Sequence, residues 1–289
     1  MNDETKFTIT DVKDLRSEGK DRMHVQTIVL RSMALVMTGA LGAAPIASAG
    51  SGPVTSLPAN LTSVSAGSPS DAWAIGIQPN FTPLVLHWNG ATWQQVSIPV
   101  SGHSDLSGVA ALSASDAWAV GAGPGSPAAN TLALRWNGST WARVPSPNPG
   151  PEVTNLTGVS AVSRTDAWAV GTYVVSRESK TLVLHWNGSK WAQVPSPSPS
   201  QTSNLTGVSA LSSRDAWAVK NIPAGTLVLH WNGTSWARVA APSPGRFASS
   251  LNAVSADSPS DAWAVGSDSA IGAGHTLILH WDGARWLRS

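Results

Sequence analysis

The stretch from Leu205 to Val239 reads LTGVSALSSRDAWAVKNIPAGTLVLHWNGTSWARV, and it decides the fold. The same pattern is written five times along the chain of 289 residues, beginning near Leu61, Leu106, Leu156, Leu205 and Leu251. The 15 Trp residues fall three to a copy, so tryptophan belongs to the repeating unit and is not a scattered surface residue. The sequence therefore predicts a structure assembled from five equivalent units.

Each copy predicts four short strands. In the quoted copy, the segments LTGVSALS, DAWAV, TLVLHW and SWARV are rich in apolar, β-branched and aromatic residues, and turn residues separate them. The Asp that opens the second segment stands at positions 71, 116, 166, 215 and 261, which gives intervals of 45, 50, 49 and 46 residues. Four antiparallel strands at this spacing are typical of an all-β fold, the β-propeller, with one blade per copy. A β-solenoid is the alternative, although its coils are usually shorter and lack hairpin turns.

The turn residues predict how the strands connect. An Asn-Gly or Asp-Gly pair directly follows the third segment, and such pairs are preferred in tight hairpins where both turn residues take a positive φ. The Asp between the first two segments is expected to accept hydrogen bonds from turn amides. The pairs are Asn89-Gly90, Asn137-Gly138, Asn187-Gly188, Asn232-Gly233 and Asp282-Gly283, and the repeated Asp residues are Asp71, Asp116, Asp166, Asp215 and Asp261.

The repeat resembles a known group of bacterial propellers. Its pattern Leu-x-x-Val, Asp-x-Trp-Ala-Val-Gly, Leu-x-x-x-Trp-Asn-Gly-x-x-Trp is similar to the repeats of Asp-box (BNR), photosystem-assembly-factor and kelch-like propellers, over residues 61 to 289. The chain departs from a strict Asp-box, because Asn usually opens the hairpin and Thr precedes the last Trp only at Thr92 and Thr140. The resemblance implies a propeller blade. It leaves the function open among sialidase-like enzymes, assembly factors and binding domains.

The two ends of the repeat region suggest how the ring closes. The blades are expected at about 61–99, 106–147, 156–197, 205–242 and 251–289 within a domain spanning residues 54–289. The last copy ends before the Pro-Ser-Pro segment that follows other copies, so Val54 to Pro58 is expected to supply the missing tail of its fourth strand. These features favour a closed five-bladed ring and a monomer. An open partial ring that needs a partner chain is the alternative.

The first 49 residues carry no repeat. Met1 to Arg22 is polar and charged, residues 32–49 read SMALVMTGALGAAPIASA, and Ala47 and Ala49 place small residues before an expected cleavage site. This pattern predicts a bacterial secretory signal peptide and a secreted or cell-surface protein, without a membrane segment after cleavage. The alternative is an uncleaved membrane anchor. The length of the leader also suggests either an extended leader or a start at Met23.

The charge and the cysteine content of the chain exclude several classes of partner and of site. The formal net charge is +1 and charged residues are 12% of the chain, so it lacks the basic stripe that nucleic acid would require. The absence of Cys excludes disulfides, thiolate metal sites and a cysteine nucleophile. We expect no cofactor and no metal, and we expect a glycan or a protein as the partner.

The two faces of the predicted propeller differ in variability. Loops that join strands one to two and three to four are short and nearly identical between copies, whereas the opposite face carries unrepeated residues. Variable loops on a rigid scaffold commonly hold binding sites, although they can also be plain solvated turns. The candidate binding residues on this variable face are Tyr173, Arg177, Glu178, Lys180, Lys220, Arg246, Asp268 and His275. Lys220 is singled out because the equivalent positions hold Gly76, Gly121, Gly171 and Gly266.

The repeated aromatic and titratable residues are expected to have structural roles, because they recur at equivalent positions in the copies. Five equivalent Trp residues are expected to be buried between blades and not to stack on sugars. A recurring third-strand His is expected to be structural, with its ring nitrogen bonded to a backbone group or a carboxylate, because Arg135 replaces it once and Arg is not a metal ligand. The Trp residues are Trp73, Trp118, Trp168, Trp217 and Trp263, and the His residues are His87, His185, His230 and His280.

These observations favour a non-enzymatic binding module, and we assign no catalytic residue. Glu152 and Glu178 are the only Glu residues after the leader, so a glycosidase with paired Glu residues is hard to assemble. Two alternatives stay open: a glycoside hydrolase or lyase on the propeller scaffold, and an assembly or scaffold factor of the cell envelope.

Overall fold

The computed structural model describes residues 59–100, 102, 104–124, 129–222, 225–243, 248–270 and 273–289. Within these ranges the chain forms strands and no helix, in five separate sheets of four strands each. The leader, and the segment 54–58 expected to close the ring, lie outside the described residues. The described chain contains no helix long and apolar enough to cross a membrane.

Each sheet is one copy of the repeat. Blade one contains β1 (Asn60–Ser68), β2 (Asp71–Ile77), β3 (Pro83–Trp88) and β4 (Trp93–Gln95). Blade two contains β5 (Asp105–Ser113), β6 (Asp116–Gly123), β7 (Asn130–Trp136) and β8 (Trp141–Arg143). Blade three contains β9 (Thr154–Ser163), β10 (Asp166–Val175), β11 (Glu178–Trp186) and β12 (Trp191–Gln193). Blade four contains β13 (Asn204–Ser212), β14 (Asp215–Ile222), β15 (Gly225–Trp231) and β16 (Trp236–Val239). Blade five contains β17 (Ala248–Ser258), β18 (Asp261–Ala270), β19 (Ala273–Trp281) and β20 (Trp286–Arg288).

Strands pair with their sequence neighbours in antiparallel order, as the turn signals predict. The first strands of adjacent blades pack together, β1 on β5, β5 on β9, β9 on β13 and β13 on β17. They therefore line the inner side of an arc. The expected all-β class, with five four-stranded antiparallel blades, is confirmed.

The core lies in the seams between blades and repeats with them. At the first seam, Trp73, Ile75 and Val85 of blade one pack on Leu106 and Val109 of blade two, together with the two outer Trp residues of blade two. The second-strand Trp of each blade meets the third-strand Trp of the next blade at ring-centroid distances of 4.9, 5.0, 5.0 and 5.0 Å. Tilted and edge-on aromatic pairs of this kind add stabilisation to simple burial.

The described residues do not form the expected closed ring. Four of the five second-strand Trp residues are fully buried, as predicted, but Trp263 of blade five is 39% exposed. The prediction of burial was wrong for Trp263 because no described blade covers that side of blade five. At the other end, Leu61 of blade one is 54% exposed, although its four equivalents are at most 2% exposed.

Blade five also does not need the strand tail expected from the N-terminus. Its fourth strand, Trp286–Arg288, has three residues, the same length as β4, β8 and β12. The Ser289 amide donates to the carbonyl of Ile278 at 3.0 Å and so extends the ladder as in the other blades. The chain therefore completes the fourth strand of blade five with its own last residues.

The hairpins between strands three and four exist, but their turns differ from the expected two-residue type. Trp88 pairs directly with Trp93, so four residues form the loop. Gly90 has a φ of 92°, whereas among the described non-glycine residues only Phe81, Ser176 and Arg177 have a positive φ. Asn89 instead accepts hydrogen bonds from the amides of Ala91 and Thr92 through Oδ1, each at 3.0 Å. The Asn is needed for its side-chain oxygen, and only the Gly for its backbone freedom.

Candidate functional site

The repeated Asp residues bind side chains and not the turn amides that the sequence suggested. Asp71 Oδ1 lies 2.7 Å from Nε2 of His87, and the same pair recurs at 2.8 to 2.9 Å in blades three, four and five. The turn amide is bonded by a serine hydroxyl instead, as Ser70 donates its backbone N–H to Oγ of Ser68 at 3.3 Å. This geometry confirms the structural role of the His series, with a carboxylate as the partner.

Blade two keeps the same contact with Arg in place of His. Arg135 binds Asp116 through two hydrogen bonds, of 2.8 and 3.0 Å, and it donates to the carbonyl of Arg164 in blade three. Its guanidinium also lies 5.1 Å from the ring centre of Trp118. Arg therefore reproduces the ring stacking and the Asp contact of His, which explains why this position accepts either residue.

The variable face is most elaborate at the tip of blade three. Tyr173 and Lys180 are cross-strand partners on β10 and β11, and they lie on the sheet side that faces blade two. Lys180 Nζ binds the carboxylate of Glu178 at 2.5 Å, and this contact lowers the pKa of Glu178. The hairpin turns at Ser176 and Arg177, whose φ values are 53° and 63°. The sequence thus places an aromatic ring, two cations and an anion on one hairpin.

Two flanking segments hold this hairpin in place. On one side, the Arg177 amide donates to the Glu152 carboxylate at 3.4 Å. On the other, the Ser179 amide donates to the carbonyl of Gln201 at 2.8 Å, and the Ser203 amide donates back to the carbonyl of Ser179 at 2.9 Å. The link between blades three and four therefore runs as a short parallel addition to the hairpin edge.

The Pro-Ser-Pro links are anchored by a buried threonine at the start of the third strand. Thr181 Oγ1 lies 2.8 Å from the hydroxyls of both Ser196 and Ser198, and blade two repeats the contact between Thr131 and Ser146 at 2.7 Å. The link is thus fixed on the blade surface. Tyr173, Thr181, Gln193, Pro195 and Ser196 line a shallow cavity of about 360 Å³ beside it.

Lys220, which the sequence singled out for the variable face, is fully buried. Its Nζ donates to the carbonyl of Thr202 at 2.6 Å, and burial lowers the pKa of its amine to about 7. In the other blades this position is a Gly because an added Cβ would overlap a backbone atom, as at Gly121 with the carbonyl oxygen of Asp105. Lys220 therefore supports the link at Thr202 from inside, and it does not present a charge to a ligand on the surface.

Two of the remaining candidates, Asp268 and His275, lie on blade five. Asp268 is buried, and its two carboxylate oxygens lie 3.4 Å from Nδ1 of His275 and 3.3 Å from Nη2 of Arg288. His275 is half exposed, so this group forms a charged corner at the variable edge of blade five. Arg246 lies outside the described residues. The predicted residues that the structure describes are therefore spread over blades three, four and five and do not converge on one site.

Sequence reasoning missed the features that shape the tip of blade three. Gln193 and Pro195 look like ordinary link residues, although the sequence does show that Tyr173 is the only Tyr in the chain. Among the described residues, no three side chains of His, Asp or Glu lie close enough together to hold a metal ion. A partly exposed aromatic ring such as Tyr173, beside neutral hydroxyl and amide groups, can stack on a sugar or receive an apolar side chain.

Comparison with known proteins identifies the fold. No family model and no curated protein match the sequence. The Aleuria aurantia lectin bound to α-methyl-L-fucoside is 13% identical, over 78% of this chain and 75% of the lectin, with a TM-score of 0.56. A polysaccharide lyase, an ulvan lyase bound to a GlcA–Rha3S saccharide, is 10% identical, over 82% of this chain and 72% of the lyase, with a TM-score of 0.54. YCF48 bound to D1 peptide is 11% identical, over 84% of this chain and 87% of YCF48, with a TM-score of 0.48.

At these identities the likeness shows the fold alone. Another structure of the Aleuria lectin is described as a six-bladed β-propeller, whereas the described part of this chain forms five blades. The chain is similar to β-propellers, and its particular family within them is not shown by these matches.

Proposed function

We propose that this chain is a secreted, non-enzymatic β-propeller that binds a glycan or a protein partner through its variable face. The observation that carries the proposal is the tip of blade three, where Tyr173 borders a 360 Å³ cavity next to the ion pair of Lys180 and Glu178. Tyrosine supplies a large contact area at low entropic cost, and a few neighbouring polar groups can fix the orientation of a ligand.

The scaffold beneath this tip is suited to binding. The hairpin is held on both sides by hydrogen bonds to flanking links, so little ordering would be required when a ligand arrives. Arg177 stands at the turn with its side chain exposed, beside the anionic Glu178 and Glu152. Such a mixed surface suits neutral sugar hydroxyls or a peptide better than it suits a polyanion.

Three further observations support the proposal. The leader pattern at residues 32–49 favours export, where glycans and surface proteins are the available partners. The repeat resembles Asp-box and photosystem-assembly-factor propellers, a group that includes binding domains. The Aleuria lectin, which shares the fold, was solved with a fucoside bound.

The turn of the same hairpin offers a matched test. Arg177→Gly removes the guanidinium and relieves a positive φ of 63°, so this variant should fold at least as well as the native chain. Ser176→Gly relieves the adjacent φ of 53° without removing a charge, and it serves as the control. Tyr173→Ala removes the aromatic surface itself.

A glycan array and a pull-down from cell-surface extract would be run with the native chain and these three variants. We expect a ligand that the native chain and Ser176→Gly bind equally, and that Tyr173→Ala and Arg177→Gly bind at least about tenfold more weakly. Equal binding by all four proteins would show that the binding site is not at the tip of blade three. No binding in either assay would count against the whole proposal.

A further inference from the structure

The seam between blades has two unlike halves. The half that faces the next blade carries the second-strand Trp with a β-branched residue beside it, and we name it the trailing half. The half that faces the preceding blade carries a first-strand Leu and Val with the outer Trp pair, and we name it the leading half. At the first seam, Trp73 and Ile75 of the trailing half meet Leu106, Val109 and Trp141 of the leading half.

Each end of the arc exposes one of these halves. Blade one has no preceding blade among the described residues, and its leading half leaves Leu61 54% and Val64 42% exposed. Blade five exposes its trailing half, where Trp263 is 39%, Val265 42% and Ile278 39% exposed. The equivalents of these five residues at the four internal seams are at most 9% exposed. The burial of these five residues therefore depends on a neighbouring blade. Deeper in the leading half of blade one, Ala74, Leu84 and Leu86 stay buried without one.

We propose that the trailing half of blade five in one copy of this chain packs on the leading half of blade one in a second copy. The contact is head-to-tail and rebuilds the internal seam between two molecules. Its two sides are already complementary, because the same side-chain types meet four times within the chain. A formal net charge of +1 adds little repulsion between copies.

A second copy is a better occupant than the opposite end of the same chain. The four internal seams hold their Trp pairs at 4.9 to 5.0 Å, so the angle between blades is fixed by close packing. Joining the two ends within one molecule would require one or more of these closely packed seams to change. A second molecule can supply the complementary half without any change in the internal seams. On this proposal the chain self-associates, whereas the closed ring led us to expect a monomer.

Single-end variants test the direction of the contact. Val64→Lys places a charge in the leading half of blade one, and Val265→Lys does so in the trailing half of blade five. Val153→Lys is the matched control, because Val153 is 43% exposed but lies in the link between blades two and three, outside both halves. Sedimentation velocity would be measured on the full chain from about 1 to 100 μM, a range that brackets micromolar association.

We expect the native chain and Val153→Lys to associate as concentration rises. Each single-end variant alone should self-associate about 100-fold more weakly, because burying an unpaired ammonium is costly. Mixing the two variants should restore a 1:1 dimer and nothing larger, since the first keeps an intact blade five and the second an intact blade one. Only a head-to-tail contact predicts recovery on mixing.

Several results would overturn the proposal. A native chain that stays monomeric at every concentration would rule out the contact, and so would a mixture that forms no dimer. Association lost in only one of the two variants would indicate a symmetric contact between identical ends. If a variant does not fold, as judged by circular dichroism, hydroxyl-radical footprinting of the native chain decides instead. Oxidation of Trp263 should fall with concentration, and an unchanged oxidation rate would contradict the proposal.

Discussion

Replacing Lys220 by Met should remove a pH dependence from the stability of the fold. Burial lowers the pKa of the Lys220 amine from 10.5 to about 7. The unfolded chain therefore binds more protons than the folded chain between these two values. The free energy of unfolding consequently rises as the pH rises through this window, and the contribution is smallest at and below pH 7. Met has a similar length and does not titrate, so the variant lacks this slope.

The size of the effect follows from the two pKa values. One pKa unit corresponds to about 1.4 kcal/mol, and integration from pH 7 to pH 9 gives a gain of about 2 kcal/mol in the native chain relative to Lys220→Met. Urea unfolding followed by tryptophan fluorescence at pH 7, 8 and 9 measures this difference. Lys190→Met, at an exposed position of a hairpin loop, controls for the loss of a lysine. A difference between the native chain and Lys220→Met that stays constant within about 0.5 kcal/mol would show that Lys220 keeps its charge when buried, which would refute the reasoning.

Five further substitutions probe the seams, the Asp contacts and the turn by the same unfolding measurement. Trp168→Ala should cost about 3–5 kcal/mol, whereas Trp263→Ala at low protein concentration should cost roughly 1–2 kcal/mol because its ring is 39% exposed; equal costs would contradict the difference between internal and end seams. Arg135→Ala should cost about 3 kcal/mol because it removes both close hydrogen bonds to the buried Asp116 and leaves only Arg164, at 3.8 Å, and Arg135→His should recover most of that loss. Ser176→Gly should stabilise the chain by about 0.5–1 kcal/mol, and a loss of stability would mean that the positive φ at this turn carries no strain.

The fold was largely predictable because each blade is formed by strands that are adjacent in the sequence. Strand period, turn residues and repeat spacing are all short-range signals, and they correctly give four antiparallel strands per copy. The type of the hairpin turn was not predictable from the Asn-Gly pair alone. The pair fits both a two-residue turn and the observed four-residue loop, and only the pairing of Trp88 with Trp93 distinguishes them.

The site was less predictable because exposure depends on what packs from elsewhere. Lys220 breaks the repeat, and a break in a repeat suggests a function, yet the side chain points inward and bonds the link at Thr202. Asp268 and His275 were predicted only as separate residues of the variable face, and the contact of Asp268 with Arg288 joins residues far apart in the sequence. Single unrepeated residues show where the scaffold permits variation. They do not show which side of the backbone that variation occupies.

The exposure of the two end blades was also not predictable from the repeat. Five copies with one pattern suggest five equivalent environments, and on that basis Trp263 belongs with its four buried counterparts. A seam, however, needs two blades, so the five described blades form four seams, and the outer halves of blades one and five have no described neighbour. The apolar residues that fill an internal seam recur in every blade. They are therefore also present in the outer halves of blades one and five, where several of them are exposed. The repeat that stabilises the arc therefore also provides the surface through which a second copy can extend it.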